Sequence, residues 1–254
     1  MKRAWEFAKL FLFSPSKAAD ACLKKESLAD GLKLYAVLAV AELASSWFNP
    51  LSFLDPNAPR VTPHGAGFWL RVAMWEPVLF GLSIFFTVLV LDWMREGWLF
   101  KKFMVAVLWA ATPAALAAYY ASPAATIHKP LFIALLALWC LPALWLSRTV
   151  RAEYWRKVAV FLLGINAIQI VCLVIEYLTV VPLRSKVGFY ALAILSLVWV
   201  LACAGIGLRK LCAMSTARVV LGFLLAIFAV PIAIGLAFVL GLMPVEVLKV
   251  VLYV

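Results

Sequence analysis

Charge is what this sequence has least of. Asp, Glu, Lys and Arg make up 14% of its 254 residues, against about 25% in a soluble domain. The shortage falls in blocks. Most of the chain lies in apolar stretches of roughly 17–25 residues, the length that crosses a ~30 Å hydrocarbon core as a helix. An ordinary soluble domain is excluded. Histidine is scarcer still, with only His64 and His128, too few for a His-rich site, so no metal is expected. The five cysteines (Cys22, Cys140, Cys172, Cys203, Cys212) include no CxxC pair and lie mostly within apolar runs. They read as small apolar side chains, not as a disulfide framework or a zinc site. No P-loop, GxSxG, HExxH or GxGxxG occurs, so the chain reads as non-enzymatic and without a cofactor. A cleaved signal peptide is not expected: Phe7 to Phe13 is short, contains Lys9, and is followed by no small-residue cleavage site.

What is present is apolar: 67% of the residues are hydrophobic. A transmembrane β-barrel would alternate apolar and polar residues in segments of about 10. The runs here, such as Val158 to Ile175, are apolar nearly all round. The sequence therefore predicts an all-α, polytopic helical bundle with about seven spans, near 31–47, 77–93, 103–121, 131–147, 158–180, 188–208 and 219–243. The net charge of +11 comes from basic residues between these runs. With the N-terminus cytoplasmic, seventeen Lys and Arg fall on inside segments and six on outside ones. That is the positive-inside pattern, and it places the C-terminus outside. The same cations would meet anionic lipids at the cytoplasmic face. No basic-aromatic groove accompanies them, so nucleic acid is not an expected partner.

Two domains follow. Residues 1–30 read as two short cytoplasmic amphipathic helices. Trp5, Phe7, Ala8, Phe11 and Leu12 recur near helical spacing, with Lys2, Arg3, Glu6 and Lys9 largely between them, as suits a helix in the membrane interface. Ser14-Pro15 ends it and opens the next, Ser as N-cap and Pro in the first turn. The expected interface anchors are Trp5, Phe7, Phe11, Lys24 and Lys25. Residues 31–254 form the transmembrane domain, with residues 48–76 as an outer loop. Pro50, Pro56, Pro59 and Pro63 keep that loop from being helical, and an interfacial stretch, Phe68 to Trp75, leads into the second span. The tail from Pro244 is too short to cross and should pack on the surface or the bundle.

Three segments carry a family resemblance. Phe11 to Leu38 reads FLFSPSKAADACLKKESLADGLKLYAVL, with a Ser-Pro dipeptide opening a short helix before the first span. Leu197 to Leu224 reads LVWVLACAGIGLRKLCAMSTARVVLGFL, a Trp-bearing helix ending in Gly207-Leu208-Arg209, then Ser215-Thr216-Ala217 opening the last span. Val105 to Leu116, VAVLWAATPAAL, is a proline-containing third region. Together these resemble bacterial Yip-domain proteins. The resemblance implies a bacterial inner-membrane scaffold or subunit with other membrane proteins as partners; eukaryotic members are trafficking proteins that contact small GTPases. Yip domains usually have five spans, so an additional helix pair is needed here.

Ionisable residues inside spans are costly and point to function. Glu42, Glu76 and Glu176 fall at similar depth on the outer side, with Arg71 and Arg184 on the same side. Asn166, Gln169 and Glu176 are spaced three and then seven apart, close to one helical face. One reading is hydrogen-bond glue between helices. The other is a polar cavity around Glu42 and Glu176, as in a secondary transporter or lipid-handling permease.

Overall fold

The computed structural model describes residues 2–48, 65–122, 127–245 and 247–248. Every regular element among them is helical. In chain order they are α1 (Lys2–Phe13), α2 (Pro15–Cys22), α3 (Ser27–Phe48), α4 (Ala66–Met94), α5 (Leu99–Tyr120), α6 (Lys129–Thr149) and α7 (Ala152–Ile175). A π-helical segment, Glu176–Val180, and α8 (Val181–Leu183) continue α7, and α9 (Lys186–Cys212) and α10 (Thr216–Val239) follow. The prolines of the expected outer loop, His64, residue 246 and the final residues 249–254 lie outside the described residues.

Among the described residues, six helices are long and apolar enough to cross a membrane: α4, α5, α6, α7 through α8, α9 and α10. The chain is thus a multi-pass helical membrane protein. The first of the seven expected spans corresponds to α3, which carries Asp30, Lys33 and Glu42 and is not among the six. The stretch Phe68 to Trp75, expected within the outer loop, forms the first turns of α4, which runs unbroken through Pro77. Proline deprives a helix of one N–H, a loss that a membrane bundle accommodates.

α7 is the axis of the bundle. Val160 to Ile168 are buried without a break, enclosed by α1, α3, α4 and α9. α10 packs between α4, α5 and α9, while α6 touches α5 and α4. The α5–α6 join is aromatic. Trp109 and Trp139 stack at 4.2 Å, as do Tyr120 and Phe132 at 4.3 Å. The first of these joins has a backbone reason. Pro113 has no N–H to give the Trp109 carbonyl one turn earlier, and the Trp139 indole N–H donates to that carbonyl instead, at 2.9 Å.

One end of the bundle collects the basic turns. Arg218, in the first turn of α10, donates to the Met94 and Gly97 carbonyls, both at 2.6 Å. Lys102 Nζ donates to the Trp93 carbonyl at 2.5 Å and Arg156 to the Leu23 carbonyl at 3.1 Å. Cations thus cover carbonyls left open at helix C-termini, where the helix dipole also favours them. The α9–α10 turn follows the same economy. Ala213 is left-handed (φ 53°), the Met214 N–H reaches back to the Arg209 carbonyl, and Ser215 caps α10 by accepting from the Arg218 N–H. Ser14 behaves otherwise. It precedes α2 with Pro15 at the first position, but its side chain makes no capping hydrogen bond.

The N-terminal pair lies across this end of the bundle, α1 on α7 and α3, and α2 on α9. Of the expected interface anchors, Trp5, Lys24 and Lys25 are exposed. Phe7 and Phe11 are not: they are 5% and 0% exposed. Phe11 seats on the bare backbone of Gly164, where an added methyl group would overlap its ring, and its ring centroid is 5.2 Å from that of Phe161. The apolar face of α1 is covered by protein because α7 offers a glycine-floored socket where lipid was expected.

Candidate functional site

The polar residues expected inside the spans separate into two groups. The first lies between α3 and α4. Tyr35 and Glu42 are seven residues apart, about two turns, and share one face of α3. Glu76 and Phe80 are four apart on α4. Tyr35 stacks on Phe80 at 4.5 Å with an interplanar angle of 28°. This contact turns the two faces toward each other and brings the carboxylates into one neighbourhood. Glu42 lies within electrostatic reach of Glu76, and Tyr35 within reach of both. Both glutamates are half-buried. The Tyr35 hydroxyl is fully buried and has no hydrogen-bond partner among the described residues. A phenol and two carboxylates can hold a proton or accept a cationic group. Tyr35 was missed in the sequence because tyrosine near a helix end also reads as an interface residue; its spacing from Glu42 was the available signal.

The second group lies on α7 and its continuation. Asn166 is buried, and its Nδ2 has no hydrogen-bond partner among the described residues. Gln169 is exposed and accepts a long hydrogen bond from the Ser196 hydroxyl on α9 at 3.5 Å. The two therefore do not line one surface. At about 100° per residue, Asn166, Gln169 and Glu176 spread over an arc of about 80°, and the wall of the bundle falls within that arc. Glu176 is half-buried and opens the π-helical segment, a backbone form frequent at functional sites. Arg71 and Arg184 are exposed, Arg184 in a left-handed turn (φ 46°) before α9, and among the described residues neither forms an ion pair with a carboxylate.

Among the described residues no three His, Cys, Asp or Glu side chains converge as metal ligands would. Comparison with protein-family models, with curated proteins and with solved structures finds no match to this chain.

Proposed function

We propose that this chain is a non-enzymatic, Yip-like subunit or scaffold of a larger assembly in a bacterial inner membrane. The observation that carries the reading is the α5–α6 pair. α6 is exposed around most of its circumference and buries only Phe132, Leu136 and Ala143. Trp145 is 70% exposed and Leu138 63%. A helix pair held along one side, by two aromatic stacks, presents broad apolar faces to another membrane protein. The Ser14-Pro15 dipeptide between α1 and α2 and the Ser215-Thr216-Ala217 start of α10 carry the Yip resemblance in the sequence. The reading takes α3 as a seventh crossing and the basic end as cytoplasmic, which puts the N-terminus inside and the C-terminus outside. The exposed Lys24 and Lys25 then face anionic headgroups.

Purification of the full chain from its native membrane in mild detergent should bring down a stoichiometric membrane partner. Trp145→Ala should weaken that capture by about tenfold, the cost of losing an aromatic anchor. A chain that purifies alone and moves solute in vesicles would overturn the scaffold reading.

The Tyr35–Glu42–Glu76 group favours a second reading, a secondary transporter or lipid-handling permease. Compared with the expected cavity around Glu42 and Glu176, this version puts Glu76 beside Glu42. Glu76→Gln and Glu176→Gln separate the two. Loss of flux in reconstituted vesicles with either variant, the fold intact, would favour transport and say which carboxylate serves it. Unchanged behaviour of both leaves the scaffold.

A further inference from the structure

We propose that α1 and α2 form a strap that exchanges between its seat on α7 and α9 and the membrane interface, covering and uncovering an apolar groove floored by Gly164 and Gly207. This goes beyond the scaffold reading and needs only that the bundle sits in a bilayer.

The seat is a set of interlocking contacts. Phe11 lies on Gly164, the Phe161 ring lies on Gly207, and the Pro15 carbonyl also stands beside Gly207. The Cys203 thiol lies 3.7 Å from the Phe11 carbonyl. Nothing in this floor is charged. When the strap leaves, lipid tails can cover the floor without stranding a charge.

The strap is equally suited to lipid. In water, the burial of Phe7, Phe11 and Leu12 would hold it down permanently. In a bilayer that force is absent, because hydrocarbon is as apolar as the groove. The outer side of α1 already exposes Trp5 and Phe13, at 55% and 77%. An amphipathic helix of this kind can bury its apolar face in the headgroup boundary instead. The two seats then differ by packing and by a few polar pins.

Those pins sit at the rim. Arg3 pairs with Glu26 and with Asp30. Lys210 pairs with Asp20 at 2.6 Å and also reaches the Ser16 carbonyl. Arg156 holds the Leu23 and Lys24 carbonyls at the end of α2. Most of these side chains are about half-exposed, so salt weakens their pairing. Asp30 is the exception at 7%, but it belongs to α3, where Lys33 stays beside it at 3.8 Å when Arg3 leaves. The strap is therefore held by contacts that ionic strength can loosen.

Cys22 reports the exchange. It is 0% exposed in the seated strap, and burial pushes its thiol up to about 12, so it resists alkylation while seated. The experiment uses the full chain in vesicles of mixed zwitterionic and anionic lipid, with Cys140, Cys172, Cys203 and Cys212 changed to Ala. N-ethylmaleimide, small and uncharged enough to enter the headgroup region as well as water, is added at low and at high salt. Labelling of Cys22 should be slow at low salt and rise about tenfold at high salt, as a few exposed ion pairs would allow. Phe11→Ala, which empties the socket, should raise it at low salt too, and Gly164→Val, which blocks the socket, should do the same. Should Gly164→Val not fold, Phe11→Ala carries the test alone. Labelling unmoved by salt and by Phe11→Ala in a monodisperse protein would make the strap a fixed part of the core. Labelling always as fast as that of Lys24→Cys would mean that the seat is not occupied. Either result overturns the proposal.

Discussion

At the scale of single residues, one glycine, Gly164, decides where the Phe11 ring goes. Phe7 and Phe11 were legible as one face of a short helix, but not which solvent that face meets. Lipid and a helical bundle are equally apolar, so periodicity cannot distinguish them. The distinguishing signal lay elsewhere in the chain, at Gly164, and only the fold connects that position to Phe11. The polar stripe on α7 meets two surroundings for a related reason. A spacing of three residues brings Asn166 and Gln169 near one another, yet one is enclosed and the other faces outward. Cys22 gives a prediction at this scale. Its thiol ionises near 9.0 when unperturbed and is pushed up to about 12 by burial in the fold. The folded protein therefore holds this proton more tightly than the unfolded chain. Its contribution is fully present below pH 9 and is lost as pH rises toward 12, at up to ~1.4 kcal/mol per pH unit. Thermal melts in detergent should fall more steeply over that window for the native chain than for Cys22→Ala. Parallel curves would show that the thiol is not held in this way.

At the scale of elements, the helices were largely visible in the sequence, and their ends were not. Apolar runs marked the interiors of α4 to α10 because a bilayer demands about 20 apolar residues per crossing. The ends moved where a helix outlasts its apolar run. α4 begins at Ala66 and α7 at Ala152, each extending into a stretch that composition alone assigns to an interface or loop. Pro113 shows how an apparent defect is accommodated between elements. It frees the Trp109 carbonyl, and Trp139 from α6 takes that carbonyl up. Trp139→Phe should keep the ring stack and lose the hydrogen bond, leaving a carbonyl unpaired, at a cost of about 1–3 kcal/mol. In a Pro113→Ala background the restored N–H can serve that carbonyl, and the same substitution should cost much less. A double-mutant cycle by unfolding in detergent measures the difference. Equal costs in both backgrounds would separate the proline from the indole contact.

At the scale of the whole molecule, the basic turns share one end of the bundle. The sequence placed them together through the positive-inside pattern. The structure joins them by hydrogen bonds from Arg218 to the end of α4, from Arg156 to the end of α2, and by the Lys210–Asp20 pair. The turn before α9, with Arg184 and Lys186, lies a full helix away along α7 and its continuation. Membrane crossing by that central helix is the claim on which the rest depends. Its most direct test is side-specific labelling of Arg151→Cys and Lys186→Cys, each on a background without native cysteines, in sealed vesicles of known orientation and with a reagent that cannot cross lipid. Arg151 stands just before α7 and Lys186 just after its continuation. The expected result is that the two positions label from opposite sides of the membrane. Labelling of both from the same side would contradict a bundle threaded through the bilayer along α7.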